Sequence, residues 1–139
     1  MNPVLDRIQL ADVKYHLGLL AADETQDEQI TGALERVAPL LLEDYFSTSE
    51  ILKFSANQVE RAVYGLSMLM AADLLNPMAI SMGLNDSGSV KVGPLSVSNS
   101  SGPVLSSFQK RARELKREGA LIMETLRLAI RGPFAWGAV

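Results

Sequence analysis

Cysteine is absent from this 139-residue chain, and histidine occurs once, at His16. Without cysteine the chain can hold no disulfide framework, no thiolate metal site and no cysteine nucleophile. A histidine-dependent serine hydrolase would have to use His16, but no G-x-S-x-G turn is present to carry its nucleophile. The sequence therefore predicts neither a catalytic residue nor a metal site, and we interpret His16 as an ordinary histidine on the surface of a helix.

Long apolar runs and phosphate-binding glycine motifs are missing as well. No apolar run approaches the roughly 20 residues that span a bilayer, and the first ten residues carry Asp6 and Arg7 in place of an apolar core. We therefore expect no membrane segment and no secretory signal. Neither G-x-x-x-x-G-K nor G-x-G-x-x-G occurs, so the sequence predicts no nucleotide cofactor.

The residues that are present have the composition of a folded domain. Hydrophobic residues make up 47% and charged residues 21% of the chain, which is typical of globular proteins and too apolar for a disordered one. The length suits one domain with a modest core. We expect a single helical domain over residues 1–131 and a short tail over residues 132–139.

Four segments have helical periodicity and predict a mainly α fold, a bundle of about four helices. The first covers residues 9–17 and ends at Gly18. The second covers residues 25–45, begins with the capping box Thr25-x-x-Glu28, and is expected to kink at Pro39.

The third and fourth helices are the longer pair. The third begins with the capping box Ser55-x-x-Gln58, is apolar on almost every face, and is expected to end before Asn76-Pro77. The fourth is expected to open at Pro103 and to run over residues 104–131. Between them, residues 85–102 are rich in glycine and serine and alternate apolar with polar positions. This pattern predicts a small β-hairpin or extended arm before the long C-terminal helix.

Charge is distributed unevenly along the chain. The net charge is −3, but residues 1–103 carry −7 and residues 104–139 carry +4. Helical geometry places Lys110, Arg113 and Arg117 within a narrow arc opposite the apolar stripe of the last helix. Three interpretations remain open: a solvated face balanced by Glu114 and Glu118, a contact with an acidic partner, or a contact with DNA phosphates.

Two further groups of residues are singled out by their position. The acidic cluster Asp23, Glu24, Asp27 and Glu28 lacks the spacing of a calcium loop, and we interpret it as compensation of a helix dipole. The tail residues Phe134 and Trp136 follow the helix-ending pair Gly132-Pro133, with too few residues to form another element. They are a candidate partner interface, with folding back onto their own domain as the alternative.

The order of these elements resembles the head-tail connector, or adaptor, family of tailed bacteriophages. The resemblance covers most of the chain. It is carried by Ala11-Asp-Val-Lys-Tyr-His-Leu-Gly-Leu followed by Asp27-Glu-x-Ile, by the small-residue helix around Ala62, Leu66, Ala71, Ala72, Leu74 and Leu75, and by the glycine-flanked segment Gly88-Ser-Val-Lys-Val-Gly-Pro-Leu-Ser-Val-Ser.

The resemblance implies a structural role without catalysis. Subunits of this family form a homo-oligomeric ring, usually twelvefold, beneath the portal protein. The ring extends the channel through which DNA passes and offers an attachment surface for a tail or stopper protein. The resemblance thus implies a virion protein made in the cytoplasm of a host bacterium. The alternative is a small DNA-binding packaging or regulatory protein that uses the basic last helix, although a pI near 5.1 disfavours it.

Overall fold

The computed structural model describes residues 2–19, 22–81, 90–92 and 95–131. This part of the chain has a mainly α-helical fold with one pair of short strands. The elements are α1 (Pro3–Arg7), α2 (Leu10–Leu17), α3 (Asp27–Arg36), α4 (Ala38–Glu43), α5 (Thr48–Leu52), α6 (Ala56–Ser81), β1 (Val90–Val92), β2 (Leu95–Val97) and α7 (Ser98–Arg131).

Helices α6 and α7 form the centre of the fold. They make the most extensive contact between any two elements. Their pairing is antiparallel, because Glu60 near the start of α6 lines a groove with Thr125, whereas Ala72 further along α6 lines another groove with Phe108. A helix that is apolar on almost every face is thus covered on one side by α7 and on its other sides by α1 to α4.

Two glycines allow α6 and α7 to approach this closely. A Cβ atom built at Gly119 would lie 2.9 Å from the carbonyl oxygen of Gly65 and 3.0 Å from Cγ of Leu69. A Cβ atom at Gly65 would lie 3.0 Å from the sulfur of Met123. The contact with the Gly65 carbonyl leaves no room for a Cβ atom at position 119, whereas a Cβ atom at position 65 would require the Met123 side chain to shift.

The core surrounds this crossing as one cluster of buried side chains. It extends from Val4 in α1 to Leu126 in α7. Ser67 is a polar residue within this cluster, and its hydroxyl donates to the carbonyl oxygen of Val63 at 2.6 Å. The bond satisfies the buried hydroxyl inside its own helix.

Several predicted helix ends are confirmed. Gly18 caps α2 with a φ of 76°, the left-handed conformation that glycine adopts without a Cβ penalty. The capping box at the start of α6 forms in both directions: the Ser55 amide donates to Gln58, and the Gln58 amide donates to Ser55 Oγ. At Pro39 the predicted kink is a full break, since α3 ends at Arg36 and Pro39 lies in the first turn of α4.

The prediction of about four helices is wrong for the described part of the chain, which has seven. Helix α1 begins at Asn2, whose side chain accepts from the amides of Val4 and Leu5 at 3.1 Å each. Helix α5 begins with a capping box between Ser47 and Glu50.

The predicted capping box between Thr25 and Glu28 does not form. The Thr25 hydroxyl donates to Asp23 at 2.6 Å, and α3 begins at Asp27. Aspartate two residues earlier offers this hydroxyl an acceptor in a local turn, which competes with the helix start.

Two predicted helix boundaries at prolines are also wrong. Helix α6 continues through Pro77 to Ser81. The fixed φ of proline is compatible with a helix, and the missing N–H removes only the hydrogen bond to the carbonyl of Asp73, an exposed residue. Helix α7 begins at Ser98 instead of residue 104, and it therefore includes residues 98–102 of the predicted arm.

Strands β1 and β2 lie between the two long helices. They pair antiparallel, with Val90 opposite Val97 and Val92 opposite Leu95. The residues that join them, 93–94, lie outside the described residues, as do residues 82–89. The hairpin or arm as a unit therefore stays a prediction.

Two long-range ion pairs fasten helix ends to the core. Arg131 in the last turn of α7 donates to both carboxylate oxygens of Glu50, at 2.8 and 2.9 Å, and to the carbonyl oxygen of Tyr45 at 3.4 Å. Arg7 at the end of α1 donates to Glu60 in α6 at 2.7 Å. The bonds to Arg131 and to the Ser47 amide lower the pKa of Glu50 from 4.5 to about 2.

The requirement for glycine at position 119 can be tested by adding one methyl group. We expect Gly119→Ala to lower the free energy of unfolding by roughly 1 to 3 kcal/mol, because its Cβ would press on the backbone of α6. Gly32→Ala is the matched control, because its Cβ would meet only the end of the flexible Arg36 side chain. Alanine also has the higher helix propensity, so the free energy of unfolding of this variant should be unchanged or higher. Urea denaturation measures both, and equal effects would contradict the close-approach argument.

The pairing of Glu50 with Arg131 predicts a dependence of stability on pH. Because the pKa of Glu50 is lower in the folded chain than in the unfolded one, its contribution is complete above pH 4.5 and is lost as the pH falls towards 2. We expect Glu50→Gln to cost about 1 kcal/mol at pH 7, a figure discounted for partial exposure, and less at pH 3. Thermal unfolding of both proteins across this range checks it, and a deficit that stays constant with pH would rule it out.

Candidate interaction surface

The three basic residues predicted to share an arc lie together on the outward side of α7. Lys110, Arg113 and Arg117 are all exposed. Among the described residues none of them forms an ion pair, and neither Glu114 nor Glu118 lies within bonding distance of them. The interpretation in which these two glutamates neutralise the arc is therefore not supported by the contacts, and the positive charge faces solvent.

Exposed leucines continue this outward side of α7 towards its C-terminus. Leu121 is 65% exposed and Leu128 is 49% exposed. Residues 110, 117, 121 and 128 are separated by seven, four and seven positions, which places them in one row along a helix. We name this row, together with Arg113, the outer face of α7. Its N-terminal half is basic and its C-terminal half is apolar.

An apolar groove runs beside this face and is lined by residues of both α6 and α7. It has a volume of about 570 Å³ and is lined by Glu60, Arg61, Tyr64, Leu121, Ile122 and Thr125. Tyr64 and Leu121 form its exposed apolar walls. In the described part of the chain the groove brings together one carboxylate and one guanidinium at its rim, without a histidine or a second carboxylate to act as a catalytic pair.

His16 was predicted to lie on a helix surface, and this prediction is wrong. The residue is only 4% exposed, and its ring packs edge-on against Tyr15 and Tyr64, with centroid distances of 5.2 and 5.0 Å. Burial lowers the pKa of His16, and the positive charge of Arg111 lowers it further, while Asp12 and Glu118 oppose the shift. The ring is therefore a neutral core element near pH 7.

Two residues of the acidic cluster at the start of α3, Asp27 and Asp23, make different contacts. Asp27 pairs with Lys14, whose side chain is 4% exposed, so this ion pair fastens α2 to α3. Asp23 accepts from the amide and the hydroxyl of Thr25, which lowers its pKa. Within the described residues, no three histidine, aspartate or glutamate side chains are arranged to hold a metal ion.

Sequence reasoning placed some features of this surface and missed others. It placed the basic arc correctly on an exposed side of α7. Phe134 and Trp136, the predicted partner interface, lie outside the described residues. The outward leucines were missed, although Leu121 and Leu128 fall off the buried i, i+3, i+4, i+7 stripe and this mismatch signals exposure.

No protein-family model, curated protein or solved structure matches this chain. None of the described helices is both long and apolar enough to cross a membrane.

The buried position of His16 predicts a second dependence on pH. Since its pKa in the folded chain lies below the ordinary 6.5, the unfolded chain takes up a proton first as the pH falls. Stability should be complete above pH 6.5 and should decline below it. We expect His16→Gln to remove this decline between pH 7 and 5, a window separate from that of Glu50. Thermal unfolding at half-unit pH steps tests it, and parallel curves for the two proteins would contradict it.

Proposed function

We propose that this chain is a structural connector subunit, not an enzyme, and that it assembles at the head-tail joint of a tailed bacteriophage. The observation that carries the proposal is the outer face of α7. It combines unpaired basic residues with two leucines that are 65% and 49% exposed. A long helix that keeps both charge and apolar area in solvent is suited to binding another macromolecule.

The proposal assigns a role to each part of the chain. Copies of the chain form a ring that binds the portal protein on one side and a tail or stopper protein on the other. The predicted twelvefold symmetry follows the resemblance described above. The arm between α6 and α7 and the tail residues Phe134 and Trp136 are the segments proposed to reach neighbouring components. DNA passes through the channel of the ring, and the virion is the proposed location.

A second candidate function is supported by the same basic residues. Lys110, Arg113 and Arg117 lie within one arc, without ion-pair partners in the described chain. A small packaging or regulatory protein could use this arc to contact phosphates. The overall charge of −3 opposes this function, because it repels the DNA backbone at long range.

Electron microscopy of the purified chain, alone and mixed with the portal protein encoded in the same genome, tests the connector proposal. We expect ring-shaped density on the portal. The double variant Phe134→Ala, Trp136→Ala should weaken attachment and leave the melting temperature nearly unchanged, since the tail is proposed to bind a partner. A chain that stays separate from portal particles under all conditions contradicts the proposal. Salt-dependent binding to a short DNA duplex in the same preparation would favour the second function.

A further inference from the structure

Two exposed surfaces of this chain complement each other in charge and in apolar content. One is the outer face of α7, which is basic and then apolar along the chain. The other lies on α4 and at its end, where Leu40 is 64% exposed and the next residues on that side, Glu43 and Asp44, are exposed carboxylates. Each surface thus pairs an unburied leucine with unpaired charge, and the two charges have opposite signs.

The spacing of these groups is the same on both surfaces. On α7, Arg117 precedes Leu121 by four residues. At α4, Leu40 precedes Asp44 by four residues, and the amide of Asp44 still bonds to the carbonyl of Leu40 at 3.3 Å, so the helical turn includes both. Four residues of helix advance about 6 Å. Because the order of charge and leucine is reversed, the two surfaces match when the helices run antiparallel.

We propose that the outer face of α7 in one copy docks on the α4 surface of a second copy. Leu121 packs against Leu40, and Arg117 pairs with Asp44. Glu43 lies next to this pair, within the field of Arg113. Neither carboxylate forms an ion pair within the described residues, so the contact separates no existing pair.

The contact joins two different surfaces, so in a pair one copy still has its α4 surface free and the other still has its α7 face free. Such a heterologous contact propagates from copy to copy, and it closes into a ring when the rotation per step divides a full turn. The inference rests on the proposed function in one respect: it identifies the surfaces through which the proposed ring assembles.

A protein partner fits the outer face of α7 better than DNA does. Phosphates would use Lys110, Arg113 and Arg117 but would leave Leu121 and Leu128 in water on the same row. A second copy of the chain would bury Leu121 and pair with Arg117 in the same contact. Residues 1–103 carry a net charge of −7, so the same chain also supplies acidic surface that complements the basic part of α7.

The absence of cysteine allows a direct cross-linking test. The double variant Leu40→Cys, Leu121→Cys should form a ladder of disulfide-linked oligomers under mild oxidation, because each copy carries both halves of the contact. Leu52→Cys, Leu121→Cys is the matched control, since Leu52 is 60% exposed and lies outside the proposed contact. A ladder in the first variant alone supports the inference. Equal ladders, or none in either, overturn it.

Charge reversal tests the ion pair independently. Arg117→Glu and Asp44→Arg should each weaken self-association about tenfold in sedimentation velocity at low salt, whereas Lys116→Glu, next along α7 but on another side of the helix, should not. An equimolar mixture of the first two variants should restore association, because every contact between unlike copies is then attractive. Circular dichroism and melting temperature confirm that each variant is folded.

The remaining outcomes separate this inference from the proposed function. Failure of the mixture to restore association overturns the inference, even if the unmodified chain binds the portal. Loss of duplex DNA binding in Arg117→Glu with unchanged self-association also overturns it and assigns the face to DNA. Specific cross-links in a chain that never binds the portal would support the inference and contradict the head-tail function.

Discussion

Helices α6 and α7 approach each other so closely that the backbone carbonyl of Gly65 leaves no room for a methyl group at Gly119. This contact determines which side of α7 faces the core. Residues two positions away from Gly119 in either direction, Arg117 and Leu121, are rotated by about 200° around a helix of 3.6 residues per turn. They therefore point away from the line of closest approach between the two helices and are exposed. The exposed cation and leucine of the outer face are a geometric consequence of a glycine on the opposite side.

The fold could be predicted from the sequence where a local signal had no competitor. Gly18 and the capping box at Ser55 fixed helix ends because each supplied the bonds that an end requires. Thr25 had the same signature, but Asp23 offered its hydroxyl a nearer acceptor. The short helices α1 and α5 also begin at local capping signals, Asn2 and the pair Ser47 and Glu50. The helix ends expected at prolines are wrong, since α6 continues through Pro77 and α7 begins at Ser98, before Pro103.

The candidate surface was predictable in its charge but not in its apolar part. Periodicity assigns a side to Lys110, Arg113 and Arg117, and the structure keeps them exposed. Burial of a polar residue depends on helices that meet only in the folded chain. Lys14 is enclosed because Asp27 on α3 meets it, and His16 because Tyr64 on α6 covers its ring. Within α2, Lys14 shares the i, i+3, i+4, i+7 spacing of Leu10, Val13 and Leu17, whereas His16 lies off that stripe and has no local signal of burial.

The ion pair between Arg131 and Glu50 joins residues that are 81 positions apart in the chain. A contact of that sequence separation closes a long loop, which costs entropy, and its net gain from exposed charges is small. It is therefore expected to form after the two long helices have paired and to be absent from the folding transition state. Interactions of that kind act on the unfolding rate and leave the folding rate nearly unchanged. The end of α7 thus contributes to the lifetime of the folded chain more than to the speed with which it forms.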